Sequence, residues 1–144
     1  MRRQASWPIL SAVVMTALGV GGLLYGNLLE RKHLRLRQIT VAVPDLPSAF
    51  DGYRIVQLSD FHAGGRGWSA SLISRAAALA MAQHGDLIVL TGDFFETTRA
   101  IDACPTLFGA LRAPDGVLAV LGNHDYHHEA VRVHRIVDAL QDIG

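Results

Sequence analysis

Beyond residue 37 the sequence predicts an α/β fold, a parallel sheet with helices packed on its faces, and two observations predict it. Three short apolar runs, 54–59, 86–91 and 117–121, are separated by helical patterns rather than by tight turns. Each run also ends in a polar cluster: Asp60 and His62, then Gly92 and Asp93, then Gly122, Asn123, His124 and Asp125. A short connection cannot return a parallel strand without a crossover element, so this alternation argues for parallel pairing.

Ahead of that fold, residues 1–6 make a short basic N-terminus with Arg2 and Arg3, and residues 7–29 carry no charge. About 23 residues at 1.5 Å each give a helix of roughly 34 Å, enough for a hydrocarbon core of about 30 Å, so a single-pass membrane anchor is expected. A cleaved signal peptide is the rival reading. The run is longer than the usual apolar stretch of such peptides, and no small-x-small site precedes Glu30. The Arg pair leaves twin-arginine export open, although Gln4, Ala5 and Ser6 do not continue that pattern. Residues 30–37 form a basic linker with Arg31, Lys32, Arg35 and Arg37. Basic residues therefore flank the span on both sides, and their excess after it leans towards a cytoplasmic catalytic face.

Residues 38–144 hold the domain. Over 38–43 polar and apolar residues alternate in a β-branched run that predicts a strand, stopped by Pro44, Asp45 and Pro47. A turn at Asp51-Gly52 leads to a buried strand over 54–59, an alanine-rich helix over 71–83 and a nearly all-apolar strand over 86–91. A looser helical stretch over 101–111, a Pro114-Asp115-Gly116 turn, a third strand over 117–121 and a helix over 129–143 follow.

Composition narrows the function classes. Lys+Arg and Asp+Glu both number 13, so no global charge points to nucleic acid or an acidic polymer, and no nucleic-acid partner is expected. The single cysteine, Cys104, excludes a disulfide-built scaffold. Chemistry must come from local clusters. In a parallel sheet the carboxyl ends of the strands lie along one edge, where open α/β folds place their ligands, and all three polar clusters fall there. Two carboxylates, a histidine and an amide offer oxygen and imidazole ligands for divalent ions of the zinc, manganese or iron kind, with no thiolate to close a structural zinc site. Successive side chains of an extended Asp60-Phe61-His62 segment point to opposite faces, which would aim Asp60 and His62 the same way. Gly92 and Gly122 permit tight turns beside a crowded centre. Ser59 lacks a base in a recognisable elbow and is read as structural. His127 and His128 are read as the start of the last helix, and His134 as lying on its surface.

In this order and on these strands, Asp60-x-His62, Gly92-Asp93 and Gly122-Asn123-His124-Asp125 resemble the first three motifs of the calcineurin-like metallophosphoesterases. The stretch from Asp51 to His62 behind an apolar segment further resembles the bacterial, membrane-associated branch that includes UDP-2,3-diacylglucosamine hydrolase-type enzymes. The resemblance covers 38–144. It implies the first β-α-β half of a metallophosphoesterase α/β sandwich, truncated relative to a family pattern that continues to a further histidine and a Gly-His-x-His motif, neither of which is in this sequence.

That likeness implies two divalent metal ions, with Asp60 and His62 on the first, Asp93 bridging both and Asn123 on the second. His124 would give a hydrogen bond or proton to the leaving-group oxygen, and Asp125 would orient its imidazole. Glu96 stands where the family often has an acid, in a structural or supporting place. The implied activity is hydrolysis of phosphate mono- or diesters, with a lipid-linked substrate favoured by the anchor. The alternative is a non-catalytic remnant or interaction module that needs the missing half and associates through its incomplete sheet edge.

Overall fold

The computed structural model describes residues 7–28, 33–66, 69–127 and 130–143, with side chains from 11 onward in the first helix and from 132 onward in the last. The chain divides into two units, Met1–Arg35 and Leu36–Gly144.

The first unit is built on α1, Trp7–Leu28, 22 residues without a charged side chain. The large apolar side chains described along it, among them Met15, Leu18 and Leu23, are exposed. Among the described residues, no helix is long and apolar enough to cross a membrane. Residue 29 of the expected 7–29 span and residues 30–32 of the basic linker lie outside the described residues.

The second unit carries a three-stranded parallel sheet in the order β1-β2-β3, with β1 at Ile55–Leu58, β2 at Leu87–Thr91 and β3 at Val117–Val120. Ile55 to Leu58 pair with Leu87 to Leu90, and Ile88 to Thr91 pair with Val117 to Val120. Between them run α2 (Ala70–Met81), α3 (Thr98–Ile101) and α4 (Cys104–Phe108), and β3 is followed by α5 (Asn123–Tyr126) and α6 (Ala130–Gln141). The expected α/β fold with a parallel sheet is present, with strand limits within a residue or two.

A sheet whose strands follow in sequence order through right-handed crossovers collects its helices on one face. Burial shows that face. Ile88 and Leu90 of β2 are buried with Ile73, Ala77 and Ala80, which recur at helical spacing along α2, and with Leu107, Phe108 and Ile136. Alternate residues point the other way, where Ile55, Leu118 and Val120 are exposed.

Two expectations are corrected. Residues 38–43 form no strand, and Ile39, Val41 and Val43 are exposed. A strand needs a neighbour's ladder, and among the described residues none lies beside this segment. The helical stretch over 101–111 is two helices, because Pro105 near the start of α4 has no N–H to continue the ladder from α3.

Candidate metal centre

Behind the carboxyl ends of the strands, four phenylalanines form an anchor. Phe61 meets Phe108 edge-on at 4.7 Å between ring centres and stacks with Phe94 at 5.6 Å, while Phe95 packs on Phe94 and Phe108. Because Phe61, Phe94 and Phe95 are interleaved with Asp60, His62, Asp93 and Glu96, burying the rings turns the polar side chains towards the sheet edge. The β1–β2 pairing continues into these loops. His62 N–H donates to the Asp93 carbonyl at 2.8 Å, Ala63 N–H to that of Phe94 at 2.9 Å, and Glu96 N–H to that of Ala63 at 2.8 Å.

Asp60 and His62 reach the same side by a route that alternation did not foresee. Asp60 (φ 57°), His62 (φ 43°) and Asp93 (φ 56°) all adopt left-handed backbone, so the segment is coiled rather than extended. Non-glycine residues in this region are uncommon and costly, and they gather where surrounding structure holds a functional geometry.

The ligand atoms of Asp60, His62 and Asp93 lie within 4.8 Å of one another. His62 Nε2 stands 3.9 Å from Asp60 Oδ1 and 3.8 Å from Asp93 Oδ2, too far for hydrogen bonds. Two ligands at about 2.0–2.2 Å from one tetrahedral ion stand roughly 3.3 Å apart, so these gaps suit a shared cation after a small contraction. The other imidazole nitrogen is occupied: His62 Nδ1 donates to Glu96 Oε1 at 2.6 Å, which leaves the Nε2 lone pair facing the carboxylates. The residues present therefore fit a divalent metal of the kind that takes oxygen and imidazole ligands.

His124 Nδ1 lies 3.3 Å from the same Glu96 oxygen, and its ring stands perpendicular to that of His62 at 4.9 Å. Its backbone N–H donates to Asp93 Oδ1 at 3.0 Å. Asn123 opens α5 beside it, exposed, and among the described residues no hydrogen bond ties its side chain to the cluster.

Asp125 departs from the expected role. It is fully buried, and its carboxylate accepts from the backbone N–H groups of Gly122 at 2.9 Å, Asp93 at 2.8 Å and Phe94 at 2.9 Å. These three donors are all main-chain groups, and the carboxylate found beside the His124 imidazole is that of Glu96. Glu96, expected in a structural or supporting place, stands beside both imidazoles. One feature escaped the sequence. Arg132 of α6 donates to the Phe95 carbonyl at 2.7 Å, and nothing in the sequence pointed to it.

Two glycines allow the approach of the second and third loops. A Cβ on Gly92 (φ 85°) would come within 2.5 Å of Gly122 Cα, and one on Gly122 would come within 2.5 Å of Asp93 N and collide with its carboxylate.

Comparison with known proteins bears on what this edge is for. The calcineurin-like phosphoesterase family profile matches residues 53–141. A Bacillus subtilis protein described as uncharacterized metallophosphoesterase YkuE is 32% identical over 129 residues, covering 87% of this chain and 45% of its own length. UDP-2,3-diacylglucosamine pyrophosphatase LpxG of Chlamydia muridarum is 30% identical over 121 residues, covering 81% of this chain and 36% of its own. A Danio rerio transmembrane protein with a metallophosphoesterase domain is 27% identical, covering 83% of this chain and 26% of its own length. The chain spans less than half the length of these relatives. No solved structure gives a significant match.

Proposed function

The chain belongs to the calcineurin-like phosphoesterase family, and from that premise we propose that it furnishes the Asp60, His62, Asp93 and Asn123 ligands of a two-metal centre for hydrolysing phosphate esters. The observation that carries this reading is the His62 imidazole, held at Nδ1 by Glu96 and presenting Nε2 between two carboxylates.

Bound divalent ions would polarise the phosphoryl oxygens and bring a water's pKa towards neutrality. The chain's own residues do the remaining work. Asp60 and His62 would hold the first ion and the Asn123 amide oxygen the second, with the Asp93 carboxylate available to either. Glu96 Oε1 accepts from His62 Nδ1 and fixes that ring, and it stands 3.3 Å from His124 Nδ1, where it orients the second ring electrostatically. That leaves His124 Nε2 to carry a proton towards the leaving-group oxygen. Glu96 thus takes the orienting role expected of Asp125. Four ligands are fewer than two complete shells need, so water or further residues complete them.

The substrate we favour is a phosphoanhydride or ester on a lipid-linked molecule, as in the acylated nucleotide sugar named for the chlamydial relatives. The charge-free, apolar α1 supports a membrane anchor for this purpose. The test is manganese-dependent hydrolysis of bis-p-nitrophenyl phosphate and of an acylated nucleotide sugar in vesicles, by wild type and Asp93→Ala. Turnover that survives Asp93→Ala would sink the two-metal reading. Equal partition into vesicles with and without residues 1–35 would sink the anchor.

A further inference from the structure

Arg132 lies on α6, seven residues after Asp125, and the proposed chemistry gives it no task. Its guanidinium NH2 group donates to the Phe95 carbonyl at 2.7 Å, a charge-assisted bond to a residue that is itself buried. Among the described residues its buried Nε has no hydrogen-bond partner. Leaving such a donor unpaired is costly, so the side chain is not placed there for its own hydrogen bonding.

The Phe95 carbonyl lies on the same short run of chain as the two N–H groups that Asp125 holds. Asp125 accepts from the N–H groups of Asp93 and Phe94, and Arg132 donates to the carbonyl of Phe95. An anionic side chain thus grips the donors, and a cationic one the acceptor, of three consecutive residues. Those residues run from left-handed Asp93 to the residue before Glu96, so they carry one candidate metal carboxylate and set the place of the acid that holds the His62 imidazole.

Resting on the two-metal reading above, we propose that Arg132 is a positioning residue for the metal centre, closing with Asp125 a clamp of opposite charges on the backbone of residues 93–95. Asp125 sets where Asp93 begins the loop, and Arg132 sets the direction in which the chain leaves Phe95 towards Glu96. Without Arg132 the chain after Phe95 loses its tether to α6, and Glu96 drifts from His62 Nδ1 while the core phenylalanines stay packed.

The experiment is a manganese titration of the whole chain, followed by calorimetry, on wild type, Asp93→Ala, Arg132→Met and Arg132→Lys, with circular dichroism on each. Arg132→Met keeps the aliphatic stem and removes the donors. It should bind manganese about tenfold more weakly, the lower end for residues that support metal ligands, while remaining folded. Arg132→Lys, which keeps one donor, should recover most of the affinity. Hydrogen exchange in the metal-free protein should quicken at 94–96 in Arg132→Met, with α2 unchanged. Folded Arg132→Met with wild-type affinity overturns the proposal. Should Arg132→Met fail to fold, Arg132→Gln, whose donor falls short of the Phe95 carbonyl, is judged by the same criterion. A wild type that binds no manganese, or binds it as Asp93→Ala does, would instead overturn the metal-centre reading.

Discussion

The two ends of the sheet carry the same residue types and treat them differently. At the amino ends, Asp86 accepts the Arg54 N–H at 2.7 Å, and Asp115 accepts the Tyr53 hydroxyl at 2.5 Å. At the carboxyl ends, Asp60, Asp93 and Glu96 crowd around two imidazoles, on backbone that is left-handed at Asp60, His62 and Asp93. The difference separates acids that finish a turn from acids that converge with imidazoles in an arrangement a cation would fit. A carboxylate whose oxygens are taken by main-chain donors is committed to the fold. One that faces a histidine nitrogen across 3.8 Å retains capacity for a ligand. By that criterion Asp125 belongs with Asp86, although it sits in the carboxyl-end motif.

The contrast can be broken by substitution. Asp93→Ala should lower metal-dependent hydrolysis about a thousandfold, since metal stabilisation of the transition state is worth several kcal/mol and each tenfold is 1.36 kcal/mol. Activity within tenfold of wild type would place the chemistry elsewhere. Asp125→Ala leaves three backbone N–H groups without their acceptor and should destabilise the fold by about 3 kcal/mol in a denaturant melt. Asp86→Ala removes one side-chain bond, should lower stability by about 1 kcal/mol and should leave metal affinity intact. Equal losses for these two variants would erase the distinction between the ends. The smallest effect is spectroscopic. The hydrogen bond to Asp115, with its negative charge nearby, pushes the Tyr53 phenol up to about 12 from the usual 10. A phenol whose folded pKa is raised favours the folded state below pH 10 and loses that contribution as pH rises through 12. Asp115→Asn should return the phenol towards 10 in an ultraviolet titration; an unchanged titration would show that the bond is not formed in solution.

The sheet was legible because its three apolar runs each fit one strand, and the parallel pairing followed from the helices between them. The approach of Asp60, His62 and Asp93 was legible, because topology brings the carboxyl ends of parallel strands together. Their partners were not legible. Asp60 and His62 share a side through left-handed backbone, which no alternation of residue types encodes. Whether Asp125 faces His124 or the main chain depends on how α5 turns over the second loop, a tertiary matter. The strand expected over 38–43 failed for a related reason: β-propensity describes a willingness to pair and cannot supply the neighbour.

The approach of Gly92 to Gly122 bears on moving this centre elsewhere. The volume that a side chain on Gly122 would fill is occupied by the carboxylate of Asp93. Grafting the ligands alone onto another parallel sheet would therefore install the acids without the space that aims one of them. The minimal transplant is the ligands plus two bare backbones, and the bare backbones are the part a catalogue of polar groups would omit.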